Sequence, residues 1–204
     1  AHDNIMSSPG GSVYVDDTSS ESRIFSGRLS YDKGAAILHS LRFVVNNDSL
    51  FFLSLRNHLQ AYGQSTATGD DFKQVVEQTT GLNLQTFFQQ WYYGEGFPTF
   101  SGKYQVDQGQ LFLEISQQTS APQSIAWFET PLELEVERPQ GDTLIRVFLD
   151  QPVKSLSVPF SGTVDAIRFD PNQWLINQSG SMVEDQSLSQ DVLASEVSLG
   201  IHPN

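Results

Sequence analysis

The spacing of apolar residues along this chain changes near residue 97, and that change constrains the fold more than any other feature. Before it, apolar residues recur every three or four positions, which is typical of amphipathic helices. After Pro98 they alternate with polar residues, as in the stretch LELEVE at 132–137, which is typical of half-buried strands. Helices followed by strands, without regular alternation of the two, predict an α+β fold rather than a parallel α/β sheet.

Four helices are predicted in residues 1–97, and capping residues mark where they begin. Ser30 suits the start of the first helix, Asp48 the second, Asp70 the third and Asn83 the fourth. Glycines follow the apolar stripes of the second, third and fourth helices, at positions 63, 81 and 94. Short connections between four amphipathic helices predict an antiparallel helical cluster, and only the first 20 residues look irregular.

The residues from 98 to 178 predict an antiparallel β-sandwich. Six segments with turn residues between them read as strands, and a further strand at 174–178 remains open. Residues 179–204 contain no Lys, Arg or aromatic residue, which predicts an acidic linker or tail. The segments are TFSGKYQVD, GQLFLEISQ, PLELEVERP, TLIRVFLD, VKSLSVPF and VDAIRFD.

Charge and composition exclude several classes of function. The formal net charge is -13, which argues against binding to a nucleic-acid backbone or to an anionic membrane. No run of 18 apolar residues is present, so no membrane insertion is expected. The chain has no cysteine, which excludes disulfides, thiolate metal sites and cysteine nucleophiles.

Histidines, serines and paired glutamates offer no complete catalytic set. The histidines at 2, 39, 58 and 202 include no pair with the HExxH spacing of a helical zinc site. No GxSxG nucleophile elbow is present. The glutamates of LELEVE fall on one face of a strand, where a solvated surface is favoured over a glycosidase-like pair. We therefore predict no metal site built by this chain alone.

Tyr31 is the remaining candidate for chemistry, in the stretch RLSYDKGAAILHSLR. A phenol is protonated at pH 7 and can donate a hydrogen bond to an oxyanion. On pattern alone packing is favoured, because an aromatic residue in a first helical turn usually packs. Gly34 raises the same question, because glycine inside a helix costs about 1 kcal/mol relative to alanine.

Several motifs in order resemble one enzyme family. SYDKGAAILHSLR resembles the Tyr-x-Lys-Gly-Ala segment of the aminopeptidase N and leukotriene hydrolase family of zinc metallopeptidases, the gluzincins. The later stretch ATGDDFKQVVEQTTGLNLQTFFQQWYYGEGFP is similar to the segment that follows it in that family. Residues 11–178 carry the resemblance. It implies the C-terminal half of a thermolysin-like catalytic domain over 1–97, followed by a β-sandwich over 98–178.

The resemblance implies a role for Tyr31 in peptide-bond hydrolysis. In that family a zinc-bound water attacks the peptide carbonyl, the HExxH glutamate is the general base, and the tyrosine that matches Tyr31 donates its hydroxyl to the oxyanion. Lys33 and Gly34 match the motif as structural residues, with Gly34 permitting close helix contact and Lys33 pairing or snorkelling.

The family's zinc ligands precede this tyrosine and are not in this chain, which therefore looks like the C-terminal piece of a longer parent. Zinc, the peptide substrate and the upstream remainder of the catalytic domain are expected in that full-length parent. The fragment alone is expected to be inactive.

Two other functions remain open. The chain can be a non-catalytic scaffold or binding module that retains the peptidase architecture. It can also contain an independent sandwich that binds glycan or protein through Trp127 and Trp174, although both lie in strand-like patterns that favour the core.

The end of the chain, VLASEVSLGIHPN, is similar to the approach to C-terminal sorting domains of the bacterial type IX export route. A secreted or cell-surface location is therefore expected.

Overall fold

A computed structural model describes residues 1–188, which form two compact units. The first contains residues 1–97 together with 120–125 and 174–176, and the second contains 98–119, 126–173 and the described residues from 177. Helices make up the regular structure of the first unit, and two β-sheets make up that of the second. The predicted α+β fold class is confirmed.

The first unit contains six α-helices and two π-helices in its described residues. Its fully buried side chains include Leu41, Val76, Leu84 and Trp91, so the apolar stripes of the first, third and fourth predicted helices face a core. The stripe predicted for the second helix does not, because Phe52 is 43% and Leu59 68% exposed. The first helix falls in the stretch predicted to be irregular. The elements are α1 (His2–Met6), α2 (Glu21–Ile24), π1 (Gly27–Lys33), α3 (Gly34–Val45), α4 (Asp48–Tyr62), α5 (Gly69–Thr80), α6 (Gln85–Phe87) and π2 (Phe88–Tyr93).

Three of the four predicted helix caps, Ser30, Asp48 and Asp70, lie C-terminal to the real ones. π1 begins after Ser26, whose side chain accepts the amide of the residue three positions on, so Ser30 lies inside the helix. α4 begins after Asn47, which makes the same contact at 3.1 Å, so Asp48 is its first residue. In both cases the capping oxygen must reach the amide of the third helical residue, which fixes the cap one residue before the helix begins.

The cap of α5 also differs from the prediction. Thr68 caps the helix and forms a reciprocal capping box with Asp71, so Asp70 is not the cap. Leu84 precedes α6, and the predicted cap Asn83 instead accepts the amide of the second residue after it at 2.9 Å. The four predicted segments are therefore helical, two of them partly as π-helices, whereas their first residues were predicted wrongly.

The second unit contains seven strands in its described residues, arranged in two sheets. One sheet has the order β5-β2-β1-β7 and the other β4-β3-β6. Neighbouring strands are antiparallel except β1 and β7, which are parallel. The strands are β1 (Pro98–Asp107), β2 (Gln110–Thr119), β3 (Thr130–Glu137), β4 (Thr143–Leu149), β5 (Val153–Pro159), β6 (Ala166–Phe169) and β7 (Gln178–Glu184).

The alternation of LELEVE is realised in β3. Its leucines and valine are fully buried, and its glutamates point the other way. On that outer face Arg168 pairs with Glu135 at 3.3 Å and also with Glu137, and Asn172 donates to Glu133 at 3.0 Å. These glutamates are engaged in surface ion pairs and hydrogen bonds, as expected for a solvated sheet face.

The stretch Gln178–Glu184, most of which falls in the predicted acidic tail 179–204, is strand β7. It pairs with β1 through backbone hydrogen bonds, and Lys103 of β1 contacts Asp185 at 3.1 Å. Hydrogen bonds from Ser187 and the nearby Lys103 ammonium lower the pKa of Asp185 to about 2. The sequence gives no strand signal here because QSGSMVE lacks apolar alternation. The open strand prediction at 174–178 is wrong, since 174–176 belong to the first unit outside any strand.

The motif VLASEVSLGIHPN, the rest of the predicted tail and His202 lie outside the described residues. Among the helices of residues 1–188, none combines the length and the apolar content that crossing a membrane requires.

Candidate functional site

Tyr31 lies in the π-helix π1, whose turns are wider than those of an α-helix. The backbone amides of Ser30 and Tyr31 both donate to the carbonyl of Ser26, at 2.9 and 3.3 Å. Short π segments within helices occur frequently at functional sites. Tyr31 is 58% exposed, and its hydroxyl makes no hydrogen bond to any residue of the described chain. The phenol is therefore available to a ligand.

A cavity of about 380 Å³ adjoins Tyr31 within the first unit. Ser30, Tyr31 and Gly34 contribute to its lining from π1 and the start of α3. The rest of its wall is apolar or aromatic and includes Ile37, Leu38, Leu41, Phe72, Phe87, Phe88 and Tyr92. Tyr31 therefore both lines this largely apolar cavity and is exposed to solvent.

Gly69 and Tyr92 form a close contact in the wall of this cavity. A Cβ added at Gly69 would lie 2.5 Å from Cζ of the Tyr92 ring, which leaves no room for a side chain. Next to it, the Tyr93 hydroxyl donates to Asp70 at 3.0 Å, and burial together with that carboxylate raises the pKa of Tyr93 to about 12. The start of α5 is therefore held against π2 by a ring contact and a hydrogen bond.

Lys33 is 2% exposed and does not snorkel to solvent. Its Nζ donates to the backbone carbonyl of Gly11 at 2.8 Å and to that of Gly94 at 3.3 Å. Burial lowers the pKa of Lys33 to about 8, against the opposing attraction of Glu95, and the nearby Arg28 lowers it further. The lysine of the motif therefore links two distant backbone segments to the helix that carries Tyr31.

Gly34 does not permit a close helix contact in this structure, so that expectation is wrong. Its backbone is ordinary right-handed helix, with φ -57° and ψ -47°. A Cβ added there would meet Val13 at 3.8 Å, which is a normal van der Waals distance. Nothing in the described residues excludes an alanine at this position.

Sequence reasoning missed the role of Arg28 and of the N-terminal segment. Arg28 donates to the carbonyl of Gly10 at 3.0 Å and to those of Ile5 and Ser8 at 3.3 Å. Asn4 donates to Asp32 at 2.7 Å. The sequence offered one indication of these contacts, because Arg28 and Lys33 flank Tyr31 in a chain with only 11 Lys and Arg residues. These contacts hold residues 4–11 against π1.

The tryptophans proposed for ligand binding have different surroundings. Trp174 stacks on His39 with ring centroids 4.6 Å apart and on Phe43 at 5.3 Å. Ser40 donates to its carbonyl at 2.8 Å, so Trp174 belongs to the helical unit rather than to a sandwich core. Trp127 is 37% exposed and is not a core residue either.

The histidines do not converge on a metal site. His58 packs against Tyr62 at 5.0 Å and Phe72 at 5.1 Å, and His39 stacks on Trp174. Within residues 1–188, no three or more His, Asp or Glu side chains lie close enough together to hold a metal ion. The residues that the structure describes therefore do not fit a catalytic zinc ion.

Comparison with known proteins connects this site to a peptidase family. Residues 1–91 match the Peptidase family M1 domain. The chain is 30% identical over 93 residues to aminopeptidase N of Escherichia coli K12, covering 45% of this chain and 10% of that protein. It is 26% identical over 113 residues to probable aminopeptidase 2 of Sulfurisphaera tokodaii, covering 53% and 14% respectively.

A solved structure is also similar. The chain matches aminopeptidase A of Legionella pneumophila, crystallised in complex with aspartic acid, with a TM-score of 0.69 at 13% identity. The match covers 84% of this chain and 20% of the other, and at this identity it supports the fold alone. The chain thus spans only 10% and 14% of the curated relatives it matches.

Proposed function

Because this chain is related to the M1 peptidase family through residues 1–91, we propose that it supplies part of the active site of a zinc-dependent aminopeptidase-like enzyme. Tyr31 is the group it contributes. The observation that carries the proposal is the free hydroxyl of Tyr31, exposed at the edge of an apolar cavity on the segment that matches the family.

The chemistry of a phenol suits this position. A protonated hydroxyl donates a hydrogen bond without carrying charge, so it stabilises the oxygen of a peptide carbonyl most strongly when that oxygen becomes negative. The wall next to Tyr31 is largely apolar, so a substrate bound against it would displace water and strengthen such an interaction. Because no other side chain of residues 1–188 engages the hydroxyl, no internal bond has to break before it can bind substrate.

The metal would be held elsewhere. The sequence contains no HExxH, and the described residues do not fit a zinc site. In the proposed enzyme the ligands and the general base would therefore lie in a longer parent, N-terminal to this chain. Zinc would supply the activated water there. This chain alone is expected to hydrolyse no peptide, and its partners are the upstream catalytic segment and the peptide substrate.

The proposal is tested on the parent and on the chain in parallel. Hydrolysis of aminoacyl p-nitroanilides by the parent should be lost on treatment with a chelator and restored by zinc, whereas the isolated chain should show no turnover. Replacement of Tyr31 by phenylalanine in the parent should lower kcat by about 10². Tyr104→Phe in β1 removes a hydroxyl from the second unit and serves as the matched control. Full activity of the Tyr31 variant would refute the proposed role.

A second function, a non-catalytic binding module, is supported by the apolar cavity itself. Recesses of this size with few polar groups accept apolar ligands. The sequence N-terminal to Ala1 in the parent separates the two functions, because an HExxH with a later glutamate favours the enzyme. If that motif is absent, binding of short leucine- or phenylalanine-rich peptides to the chain, followed by tyrosine fluorescence, would support the module.

Export is a further part of the proposal. The similarity of the C-terminal stretch to type IX sorting regions supports a secreted or cell-surface protein. Fractionation of the source cells tests it, since the parent should be recovered from the medium or the outer surface. Recovery only from the cytosol would contradict it.

A further inference from the structure

Three backbone segments of the first unit meet at the side chain of Lys33. Lys33 is the last residue of π1, two positions after Tyr31. Its ammonium donates to Gly11, in the N-terminal segment, and to Gly94, directly after π2. The sequence separations are 22 and 61 residues, so this one side chain links segments that are distant in the sequence.

The surroundings make this link dependent on charge. The charged groups that act on Lys33 are Glu95, which attracts it, and Arg28, which repels it. Both lie beside the same turn, because Arg28 donates to the carbonyl of Gly10 and a Cβ added at Gly10 would lie 3.0 Å from Glu95. A positive Lys33 strengthens its hydrogen bonds to the two carbonyls, since charge-assisted hydrogen bonds are about twice as strong as neutral ones.

The linked segments border the cavity at Tyr31. Val13 and Tyr92 contribute to its wall, and the amide of Tyr14 donates to the carbonyl of Tyr92 at 3.0 Å. The N-terminal segment therefore bridges π1 and π2 next to Tyr31, with Lys33 at one end of the bridge. A loss of the Lys33 contacts frees the turn that presents the phenol.

We propose that Lys33 is a positioning residue, whose buried ammonium fixes the Tyr31 turn relative to Gly11 and Gly94. Its effect on catalysis rests on the proposed role of Tyr31. Its effect on structure does not, and can be measured in the chain without turnover. Because burial lowers the pKa of Lys33 below that of a solvated lysine, an opening that exposes the side chain takes up a proton, so this turn opens less readily once Lys33 has lost its proton.

The experiment uses amide hydrogen exchange and NMR on the 204-residue chain between pH 6.5 and 9. The pKa of about 8 places the change in the charge of Lys33 within this window. After correction for intrinsic exchange, the Tyr14 amide should exchange about tenfold faster in Lys33→Met than in the wild type at pH 6.5. The Tyr31 ring resonance should shift with pH in the wild type and lose that shift in Lys33→Met.

Two further variants make the result decisive. Lys33→Arg keeps a charge at all these pH values, so it should retain protection and lose the pH dependence. Lys154→Met, in the second unit, should behave as the wild type. If Lys33→Met fails to fold, the wild-type titration and Lys33→Arg still test the proposal.

Contradicting results are equally specific. A Tyr31 resonance that does not move in the wild type would overturn the proposal, as would a pH dependence that persists in Lys33→Met. In the parent, Lys33→Met should lower kcat and leave KM unchanged, with Lys33→Arg restoring kcat. If amide exchange in the chain changes as expected but kcat of the parent is unaffected, the proposed function of Tyr31 is refuted and the positioning by Lys33 is not.

Discussion

The buried Lys33 predicts an unusual dependence of stability on pH. Its pKa is about 8 in the folded chain and 10.5 in the ordinary, solvated state that the unfolded chain provides. Between these values the folded form holds an amine and the unfolded form an ammonium. Unfolding therefore takes up a proton, and the free energy of unfolding rises with pH across this window.

The size of the effect follows from the same two values. Each pKa unit corresponds to about 1.4 kcal/mol, so the contribution of Lys33 should increase by about 3 kcal/mol from below pH 8 to above pH 10.5. Below pH 8 both states are charged and the cost of burying the ammonium is fully present. This is the opposite of a surface lysine in an ion pair, which loses stabilisation as pH rises.

Urea unfolding of the chain and of Lys33→Met, followed by tryptophan fluorescence at pH 7, 8, 9 and 10, measures this. Other groups titrate in the range, including tyrosines, but they are common to both proteins. The free energy of unfolding of the wild type minus that of Lys33→Met should therefore increase as the pH is raised. A difference that stays constant within about 0.5 kcal/mol would refute the burial of a charged amine at this position.

Three further substitutions test the packing of the first unit by the same urea titration. Gly34→Ala should stabilise the chain by about 0.4 to 1 kcal/mol, because its backbone is helical and a Cβ has room, and a loss of stability would mean that something does pack closely there. Gly69→Ala should destabilise it by about 1 to 3 kcal/mol through the clash with Tyr92, and a neutral result would show that the ring can move aside. Thr68→Ala should cost about 1 kcal/mol by breaking the capping box with Asp71, which an unchanged midpoint would contradict.

The fold was predictable as far as local patterns determine it. The change of period near residue 97 indicated helices followed by strands, and the alternation of LELEVE placed Leu132, Leu134 and Val136 in a core. Strand β7 was not predictable, because Gln178–Glu184 has no apolar alternation and is held by its backbone pairing with β1. The starts of helices shifted by one to four residues because Ser, Asp and Asn occur at several neighbouring positions there.

The candidate site was predictable only in part. Tyr31 stood out through its motif, and that it is exposed agrees with a role beyond packing. Lys33 and Gly34 were interpreted by rules for isolated helices, and both interpretations differ from the structure. The environment of Lys33 depends on carbonyls 22 and 61 residues away, which no local pattern can report. The same holds for the cavity, whose wall comes from several helices.

The most direct test measures two quantities for the parent enzyme, its turnover and its affinity for a phosphinic peptide. The phosphinic group mimics the tetrahedral oxyanion. If Tyr31 stabilises that oxyanion, Tyr31→Phe should lower kcat/KM and weaken inhibitor binding by the same factor, about 10². Affinity for an unreactive substrate analogue with a planar carbonyl should remain unchanged. Tight phosphinate binding and full kcat/KM in Tyr31→Phe would contradict the central claim.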